Sequence, residues 1–450
     1  MAKEIFKNVP NQIKNKTYLV GGAVRDLILG LEPKDYDFVV VGSSEAEMLS
    51  LGFQKVGKDF PVFLHPKTGE EFALARKERS IGKGYADFVF ETEGVTLKDD
   101  LSRRDLTINA IAMDSNGNII DPFGGKKDLE EGILRATSEA FEEDPVRVLR
   151  TLRFATKYGF RISNSTIKTI KQMANKGLLK ALKKERVWIE VEKVMKVKNP
   201  EVFFDLLNQL DLLKEIFPVL EEMKNTPQNT KHHAEGNVFN HSLLVLHDVA
   251  KKSNVLAVRM GALFHDIGKP FSYKKYGNLY SHTKEEMINK GLSMLDNSIS
   301  MPSRVRSTIF KAALNHHKFH DFFDKEHMKV SKKSIDLILS FKSEEEFLNF
   351  VQICKADQTG RIISEHNFTY SEALFIKILG KDNIFSDIEF EIPNDTSCNL
   401  NFFRDLYNGL KKVSIKDFIK ENPNAKVEHI KQVLLKRRKE VFFRTIKNCL

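Results

Sequence analysis

Asp35 and Asp37 are two carboxylates separated by one residue, and they stand directly before the apolar run of residues 38–41. Such a run predicts a buried strand, which the two aspartates open, and side chains two residues apart lie on the same face of a strand. Paired carboxylates suit hard Mg2+ ions, which can bridge an attacking hydroxyl and the phosphates of a nucleoside triphosphate. The pair therefore predicts a catalytic magnesium site, although a lone Asp-x-Asp is more often a solvated strand end.

A glycine turn precedes this carboxylate pair. Residues 18–20 predict a short strand, Gly21 and Gly22 a turn, and residues 23–29 a helix whose first amides face that turn. Amides at a helix start bind anions, and Arg25 stands one turn into the helix, within reach of phosphate oxygens. A lone Gly-Gly is usually only a turn. Followed by the carboxylates, it favours a triphosphate bound at Gly22 and Arg25.

Two later motifs add arginines. Arg103 and Arg104 precede Asp105, and a helix cap explains the aspartate but not the adjacent arginines, which suit a sugar or phosphate. Residues 142–154 combine an acidic cap with a helix expected to begin at Pro145. An arginine stands at every third position of that helix, namely Arg147, Arg150 and Arg153. The alternative interpretation of this arginine pattern is a core helix with one solvated face.

An acidic residue at the start of that helix can recognise a nucleobase through hydrogen bonds. Cytosine and adenine both present an exocyclic amine beside a ring-nitrogen acceptor, whereas uracil presents the reverse order. One carboxylate and one guanidinium can therefore pair with either of the first two bases. Asp144 with Arg147 is such a pair.

Histidines and aspartates in the second half predict another metal site. His265 and Asp266 follow the apolar residues 260–264, and buried groups of this kind need a partner that a metal supplies. With His241 upstream and Asp357 downstream, the set resembles the ordered ligands of HD hydrolases. This resemblance implies that the ligands are His241, His265, Asp266 and Asp357. Other His-Asp pairs, at His247 and His320, lack the apolar approach. Three more histidines are either extra ligands or substrate contacts, or ordinary surface histidines: His282, His316 and His317.

Composition and charge indicate a globular protein that meets a polyanion, and sheet-like patterns followed by helical ones predict an α+β fold. The 450 residues, 41% of them apolar, predict about two to four domains. Residues 1–150 hold 21 basic and 26 acidic side chains, and residues 151–450 hold 50 and 35. Three scattered cysteines form no zinc pattern, and no apolar run of about 18 residues occurs. We expect a cytoplasmic protein without a membrane segment.

The periodicity of apolar residues changes along the chain. Short runs broken by glycine and proline predict a mixed sheet in a head of residues 1–140, and helical spacing follows. We expect a helical neck and body at 141–225, a polar linker near 224–230, a histidine-rich helical domain at 231–361 and a basic helical tail at 362–450.

These motifs resemble those of the class II CCA-adding tRNA nucleotidyltransferases, in the bacterial branch where an HD phosphohydrolase domain follows the helical body. The resemblance lies in residues 18–41, 56–66, 72–79, 103–112, 143–154 and 185–188. It implies a polymerase-β-like head, an all-α neck and body, an all-α HD domain and a helical tail. An additional segment of roughly fifteen residues before the first strand departs from the family.

The resemblance implies template-independent addition of CCA to the 3′ end of tRNA from CTP and ATP by a monomer or homodimer. Mg2+ is expected on Asp35 and Asp37, and a divalent transition metal, with Ni2+ one candidate, in the HD domain. The residues expected on the nucleotide are Gly22, Arg25, Arg104, Asp105, Asp144, Arg147 and Arg150. Residues 76–85 resemble the loop that helps the enzyme change from C to A. The HD activities implied are 2′,3′-cyclic phosphodiesterase, 2′-nucleotidase and phosphatase.

Three alternatives remain open from the sequence. A bacterial poly(A) polymerase shares the head motifs but lacks an HD domain, and an enzyme adding only CC or only A differs in its loop. An RNA-binding HD phosphohydrolase with an inactive head requires the intact Asp35 and Asp37 to be unused. A third head carboxylate is expected at Glu70 or Glu71, and the sequence does not choose between them.

Overall fold

The computed structural model describes residues 2–56, 62–80, 88–323, 331–379, 390–391 and 399–447, which divide into two compact units between Arg186 and Val187. Mixed strands and helices make up the first unit, and the second is almost entirely helical. The domain boundaries expected from sequence, at 140, 225 and 361, stay predictions. None of the helices described has the length and apolarity of a membrane span.

Strands of the first unit are short. They are β1 Thr17–Val20, β2 Asp37–Val40, β3 Gln54–Val56, β4 Val62–Leu64, β5 Glu71–Leu74, β6 Lys77–Ser80, β7 Phe88–Glu91, β8 Ala112–Met113, β9 Ile119–Ile120, β10 Ile133–Leu134 and β11 Arg161–Ile162. Its helices are α1 Ala2–Ile5, α2 Asn11–Lys14, α3 Gly22–Ile28, α4 Glu45–Ser50, α5 Leu97–Ser102, α6 Gly125–Glu131, α7 Val146–Tyr158 and α8 Asn164–Asn175.

A helix that crosses the division between the units, α9 Lys184–Val194, is followed by the elements of the second unit. They are α10 Glu201–Gln209, α11 Leu213–Ile216, α12 Pro218–Lys224, α13 Val238–Ala250, α14 Leu256–Phe264, α15 Lys269–Tyr276, α16 Glu285–Ser298, α17 Ser303–Phe323, α18 Lys332–Leu339, α19 Glu344–Thr359, β12 Ile363–Ser364, α20 Tyr370–Leu379, β13 Phe390–Glu391, α21 Leu400–Lys412, α22 Lys416–Glu421 and α23 Val427–Lys447.

The main sheet places β2 at its centre, in the order β3-β4-β5-β2-β1-β8-β9. Strand β2 is antiparallel to β1 and parallel to β5. Phe38 stacks on Phe72 of β5 at 4.6 Å between ring centroids, while Val39 packs with Val20 and Leu101. Since side chains alternate along a strand, Asp37 lies on the same face as Val39, toward α5.

The segment before β1 is part of the fold, although the sequence reads as an extra polar extension. Phe6 and Val9, between its two short helices, and Ile13, in the second helix, are buried, and Phe6 meets Phe38 edge-on at 5.3 Å between ring centroids. Such burial of apolar surface stabilises the strand that begins with Asp37.

Four helices form the centre of the second unit: α14 packs against α13, α17 and α19, and α17 and α13 both pack against α19. Nearly every residue of α13 is buried, as expected for a helix enclosed on all sides. The expected linker near 224–230 is packed rather than free, since Thr226 and Gln228 are buried. The parts expected to be all-helical also contain the two-residue strands β11, β12 and β13.

Candidate active sites

Asp35 and Asp37 lie at the start of the central strand, with exposed side chains. Only Asp37 belongs to β2, so Asp35 precedes the strand that was expected to carry both. Partial desolvation raises the pKa of Asp37, the nearby Arg104 guanidinium lowers it, and the Asp35 charge raises it again. Two neighbouring, mutually repelling carboxylates that remain open to solvent are a donor set that fits Mg2+.

A third carboxylate stands beside this pair. In the parallel register of β2 and β5, Asp37 is opposite Glu71, and paired residues of neighbouring strands direct their side chains to the same face. Glu70 lies before the strand and accepts a hydrogen bond of 2.7 Å from Thr68 Oγ1. The register therefore favours Glu71 over Glu70 as the neighbour of Asp37.

The glycine turn brings two arginines close to the same place. Gly21 has φ +69°, and a Cβ on it would lie 2.8 Å from Arg104 Nη1, so this close approach requires glycine. Helix α3 then begins at Gly22. Buried Arg25 donates to Asn109 Oδ1 at 2.6 Å and stacks over the ring of Phe154 at 5.1 Å.

Two buried aspartates hold the arginines in position. Asp100 accepts hydrogen bonds from Arg103 at 2.6 Å and from Arg104 at 3.1 Å. Asp105 accepts from Arg150 Nε at 2.7 Å and from Asn109 Nδ2 at 2.9 Å. Burial opposes ionisation of Asp105, but Arg150 and Asn109 outweigh it and lower the pKa of this carboxyl to about 2. Asp105 is therefore a charged anchor whose oxygens are already engaged.

The expected base-reading pair has additional partners. Asp144 forms a two-pronged ion pair with Arg186, at 2.9 and 2.8 Å, and also accepts from the amide of Val146 at 3.1 Å. Arg147 is buried and donates to the carbonyl of Ala140 at 2.8 Å. Both groups are thus fixed at the start of α7.

Sequence reasoning missed three residues that position these groups: Asp100, Asn109 and Arg186. Each lies inside or beside a motif singled out by sequence, but its partner is identified only by the fold. Asn109 joins the Arg25 side chain to Asp105, which is hydrogen-bonded to Arg150.

Residues 57–61 and 81–87 lie outside the described residues. The second range includes residues 81–85 of the expected 76–85 loop.

The second candidate site lies at the centre of the four packed helices. His241 comes from α13, His265 and Asp266 directly follow α14, and Asp357 comes from α19. The Nε2 atom of His241 lies 3.1 Å from Asp357 Oδ1, and that of His265 lies 3.2 Å from Asp266 Oδ2. The structure therefore brings all four predicted ligands together.

The buried donor atoms of this cluster fit a divalent cation. His265 Nδ1 donates to the carbonyl of Ala262 at 2.8 Å, which leaves Nε2 to face the carboxylates. No described residue gives His265 Nε2 or Asp266 Oδ1 a well-aligned hydrogen bond. Burial lowers the pKa of His265, but Asp266 and Asp357 raise it to about 10. Imidazole and carboxylate donors together suit a transition metal.

Two further side chains, missed from the sequence, surround this cluster. Glu235 is buried 3.0 Å from His241 Nδ1 and orients that ring, and two histidines contribute to lowering its own pKa to about 2. Lys269 Nζ lies 2.6 Å from Asp266 Oδ2 and also donates to Gln228. The contacts of Glu235 and Lys269 join side chains that lie across a turn or far apart in sequence, so only the folded chain shows them.

The three additional histidines lie against the same centre. His282 and His316 are buried, His317 is exposed, and their ring nitrogens gather within 4.8 Å of one another. Burial lowers the pKa of His282 to about 3. Gly268 permits this arrangement, because a Cβ there would lie 2.1 Å from the carbonyl oxygen of His282.

Neither of the other His-Asp pairs contributes a described ligand to the centre. His247 is buried, and its Nδ1 lies 2.7 Å from a carboxylate oxygen of Glu201. The side chain of His320 lies outside the described residues.

Three family profiles match the chain in the order of these sites. "Poly A polymerase head domain" covers residues 17–135, "Probable RNA and SrmB- binding site of polymerase A" covers 159–224, and "HD domain" covers 238–372. A curated relative, the multifunctional CCA protein of Pseudoalteromonas atlantica strain T6c, is 43% identical over 355 residues, which are 77% of this chain and 86% of the relative. The chain belongs to the multifunctional CCA protein family.

Solved structures agree with the fold of this family. The structure titled "The complex structure of CCA-adding enzyme with ATP" aligns with a TM-score of 0.59 and 21% identity, over 99% of this chain and 91% of that one. A tRNA nucleotidyltransferase complexed with a primer tRNA and an ATP analog aligns with a TM-score of 0.50 and 24% identity, over 78% and 94%. The predicted polymerase-β-like head and HD domain are confirmed.

Proposed function

We propose that this multifunctional CCA family member adds C, C and A to the 3′ end of tRNA, with CTP and ATP as substrates. The observation that carries the proposal is the carboxylate pair Asp35 and Asp37 at the start of β2, beside the Gly21–Gly22 turn. The names of the curated relatives support the same reaction, as do the tRNA and ATP analog named with one structural neighbour. Its tRNA substrate is consistent with a cytoplasmic protein.

The arginines are proposed to hold the triphosphate. Arg25 and Arg104 both lie at the glycine turn, and each is held by buried partners that fix its guanidinium. Mg2+ bound at Asp35 and Asp37 supplies the positive charge that draws the attacking 3′-hydroxyl and the α-phosphate together. Glu71 is our choice for the third carboxylate, on the register argument. Asp105 holds Arg150 in place and is not itself a nucleotide ligand in this proposal.

Base selection is assigned to the start of α7. Asp144 accepts from the exocyclic amine of cytosine or adenine, and Arg147 donates to the neighbouring ring nitrogen. The two hydrogen bonds from Arg186 fix the orientation of the Asp144 carboxylate, whose oxygens accept hydrogen bonds. UTP, which presents a donor where the ring acceptor should be, is rejected.

The HD centre is proposed to hydrolyse phosphate esters, with 2′,3′-cyclic nucleotides as substrates. His241, His265, Asp266 and Asp357 hold the cation, Glu235 orients His241, and Lys269 provides a cationic group beside Asp266. A divalent transition metal there, Ni2+ among the candidates, supplies Lewis acidity toward the phosphate.

Product sizing tests the head reaction. Purified protein is incubated with tRNA that lacks its terminal CCA, with CTP alone, ATP alone, or both. We expect two C residues from CTP, and one further A only when both are present. Long A tracts from ATP alone would instead identify a poly(A) polymerase, and a product that stops after CC would identify a partial enzyme.

For each reaction, one variant of a site residue is compared with one control variant. Asp37→Asn should lower nucleotide addition by about 10³-fold or more and keep hydrolysis, whereas Glu32→Gln, an exposed acidic residue in the preceding loop, should change neither. His265→Ala should lose hydrolysis of 2′,3′-cyclic nucleotides and keep CCA addition, with exposed His232→Ala as the control. Full addition by Asp37→Asn contradicts the head assignment, and full hydrolysis by His265→Ala contradicts the HD assignment.

A further inference from the structure

The segment between α12 and α13, residues 225–237, is closed on itself by its own backbone. The amide of Gln228 donates to the carbonyl of Gly236 at 2.9 Å, and the amide of Val238 donates to the carbonyl of Thr226 at 3.1 Å. An antiparallel bridge lies between these two contacts. The two ends of the segment therefore lie side by side, and its backbone can hold a side chain in a defined position.

The side chain of Gln228 is buried and reaches a lysine beside the HD centre. Its Oε1 accepts from Lys269 Nζ at 2.5 Å, and its Nε2 donates to the carbonyl of Asn237 at 3.3 Å. Both contacts fit one orientation of the amide, because the reverse orientation would set an NH2 group against an ammonium and an oxygen against a carbonyl. Gln228 therefore serves Lys269 as a hydrogen-bond acceptor.

Lys269 begins α15 and is buried, although lysines are almost never buried without a partner. Its Nζ lies 2.6 Å from Asp266 Oδ2. An ammonium has three N–H donors, and among the described residues two acceptors face it, Gln228 and Asp266. One donor is left, at a centre where a bound phosphate ester brings acceptor oxygens.

Two acceptors do for this ammonium what one cannot. Lysine carries its ammonium on a flexible four-carbon stem, so a single acceptor leaves the other donors free to rotate. With Asp266 on one side and Gln228 on the other, the direction of the third N–H of Lys269 is set. A donor that is oriented in advance stabilises negative charge on a phosphate oxygen without having to reorganise during the reaction.

We propose that Gln228 is a positioning residue for phosphate ester hydrolysis, and that the donor it orients is the third N–H of Lys269, directed at a phosphate oxygen of the substrate. The inference rests on the proposed phosphohydrolase function of the HD centre. It adds a residue from outside the matched regions, since Gln228 lies between the RNA-binding profile, which ends at residue 224, and the HD profile, which begins at residue 238.

A double-mutant cycle on the full chain tests whether Gln228 acts through Lys269. Hydrolysis of 2′,3′-cyclic AMP by metal-loaded protein is compared in the wild type, Gln228→Ala, Lys269→Met and the double variant. We expect kcat/KM to fall about 10-fold in Gln228→Ala and about 100-fold in Lys269→Met, the range that a hydrogen bond to a charged group covers. The double variant should equal Lys269→Met, because no ammonium remains to be positioned. A further loss of about 10-fold in the double variant overturns the inference.

Two more variants separate positioning from a general loss of structure. Gln228→Glu keeps an acceptor oxygen at the same reach and should restore most of the activity lost in Gln228→Ala. Gln432→Ala, which removes an exposed glutamine of α23, should behave as the wild type. Bound metal, measured by elemental analysis, should be equal in Gln228→Ala and the wild type. Loss of metal from Gln228→Ala, or failure of Gln228→Glu to restore activity, overturns the inference.

Binding of inorganic phosphate to the metal-loaded proteins, followed by calorimetry, separates this inference from the proposed activity. Phosphate affinity should fall about 10-fold in Gln228→Ala but not when Lys269 is already Met, and phosphate held at the head is common to all variants and cancels. This pattern without hydrolysis by the wild type supports the positioning role and contradicts the activity. Hydrolysis with additive losses contradicts the positioning role and supports the activity. Absence of both phosphate binding and hydrolysis in the wild type contradicts both.

Discussion

Replacing Asn109 with alanine should disturb the nucleotide site without removing a proposed nucleotide ligand. Its amide accepts from Arg25 at 2.6 Å and donates to Asp105 at 2.9 Å, and all three side chains are buried. A hydrogen bond to a charged group contributes about 1.5–3 kcal/mol. Arg25 keeps its contact with Asp26, and Asp105 keeps its contact with Arg150, so the lower value applies to each of the two hydrogen bonds that are removed. Together their loss destabilises the protein by about 3 kcal/mol.

A loss of this size is measurable in two ways. For a unit of about 150–250 residues, 3 kcal/mol corresponds to a fall in Tm of roughly 6–12 °C, followed by circular dichroism. Arg25 also loses the partner that fixes its guanidinium. If about half of the 3 kcal/mol is expressed in nucleotide binding, KM rises about 10-fold. Since both nucleotides carry the same triphosphate, KM should rise equally for CTP and ATP, measured well below Tm.

Asn118→Ala is the matched control for this variant. Asn118 is exposed, and its side chain donates one hydrogen bond, to Asp114 at 2.9 Å, so loss of that side chain should change stability by about 0.5 kcal/mol or less and leave KM unaltered. The reasoning is refuted if Asn109→Ala behaves like this control. It is also refuted if KM rises for only one of the two nucleotides.

Three further outcomes follow from the head. Arg186→Ala should raise UTP incorporation relative to CTP by about 10-fold in a competition assay, because Asp144 loses two hydrogen bonds; an unchanged ratio contradicts this. The folded pKa of Asp105, about 2, lies below its usual 3.8, so its stabilisation of about 2 kcal/mol is complete above pH 4 and disappears toward pH 2. Urea unfolding should show that decline in the wild type and a smaller one in Asp105→Asn. Glu71→Gln should lower nucleotide addition about 10²-fold and Glu70→Gln should not; equal effects contradict the register argument.

Local sequence predicted the parts of the fold that local physics determines. The strand at β1, the turn at Gly21 and the helix after Pro145 follow from periodicity and backbone preference, and they lie where expected. The start of β2 was placed two residues early, because a run of apolar residues marks a strand better than it marks the strand's first residue. The parallel pairing of β2 with β5 depends on a crossover that no local pattern specifies.

In the candidate sites too, some residues could be predicted from local sequence and others only from long-range contacts. Chemical type and context made Asp37 and the His265–Asp266 pair candidates, because paired carboxylates and a His-Asp pair beside apolar runs suit metal binding, and their roles stay predictions. Asn109, Arg186 and Glu235 are polar residues of ordinary kinds, and only long-range contacts give them a role. Asp105 was expected on the nucleotide, whereas its hydrogen bonds to Arg150 and Asn109 favour the role of an anchor.

Gly268 has no ligand atom, yet its missing side chain leaves space for the carbonyl of His282, which would lie 2.1 Å from a Cβ. Any larger residue must push the His282 loop away from the adjoining Ile267 and Asp266. Divergence at this one position can therefore move His282 away from the HD centre while every predicted metal ligand is retained. Among related sequences, the residue after His-Asp-Ile is then a better indicator of whether this histidine lies at the centre than the presence of the histidine itself.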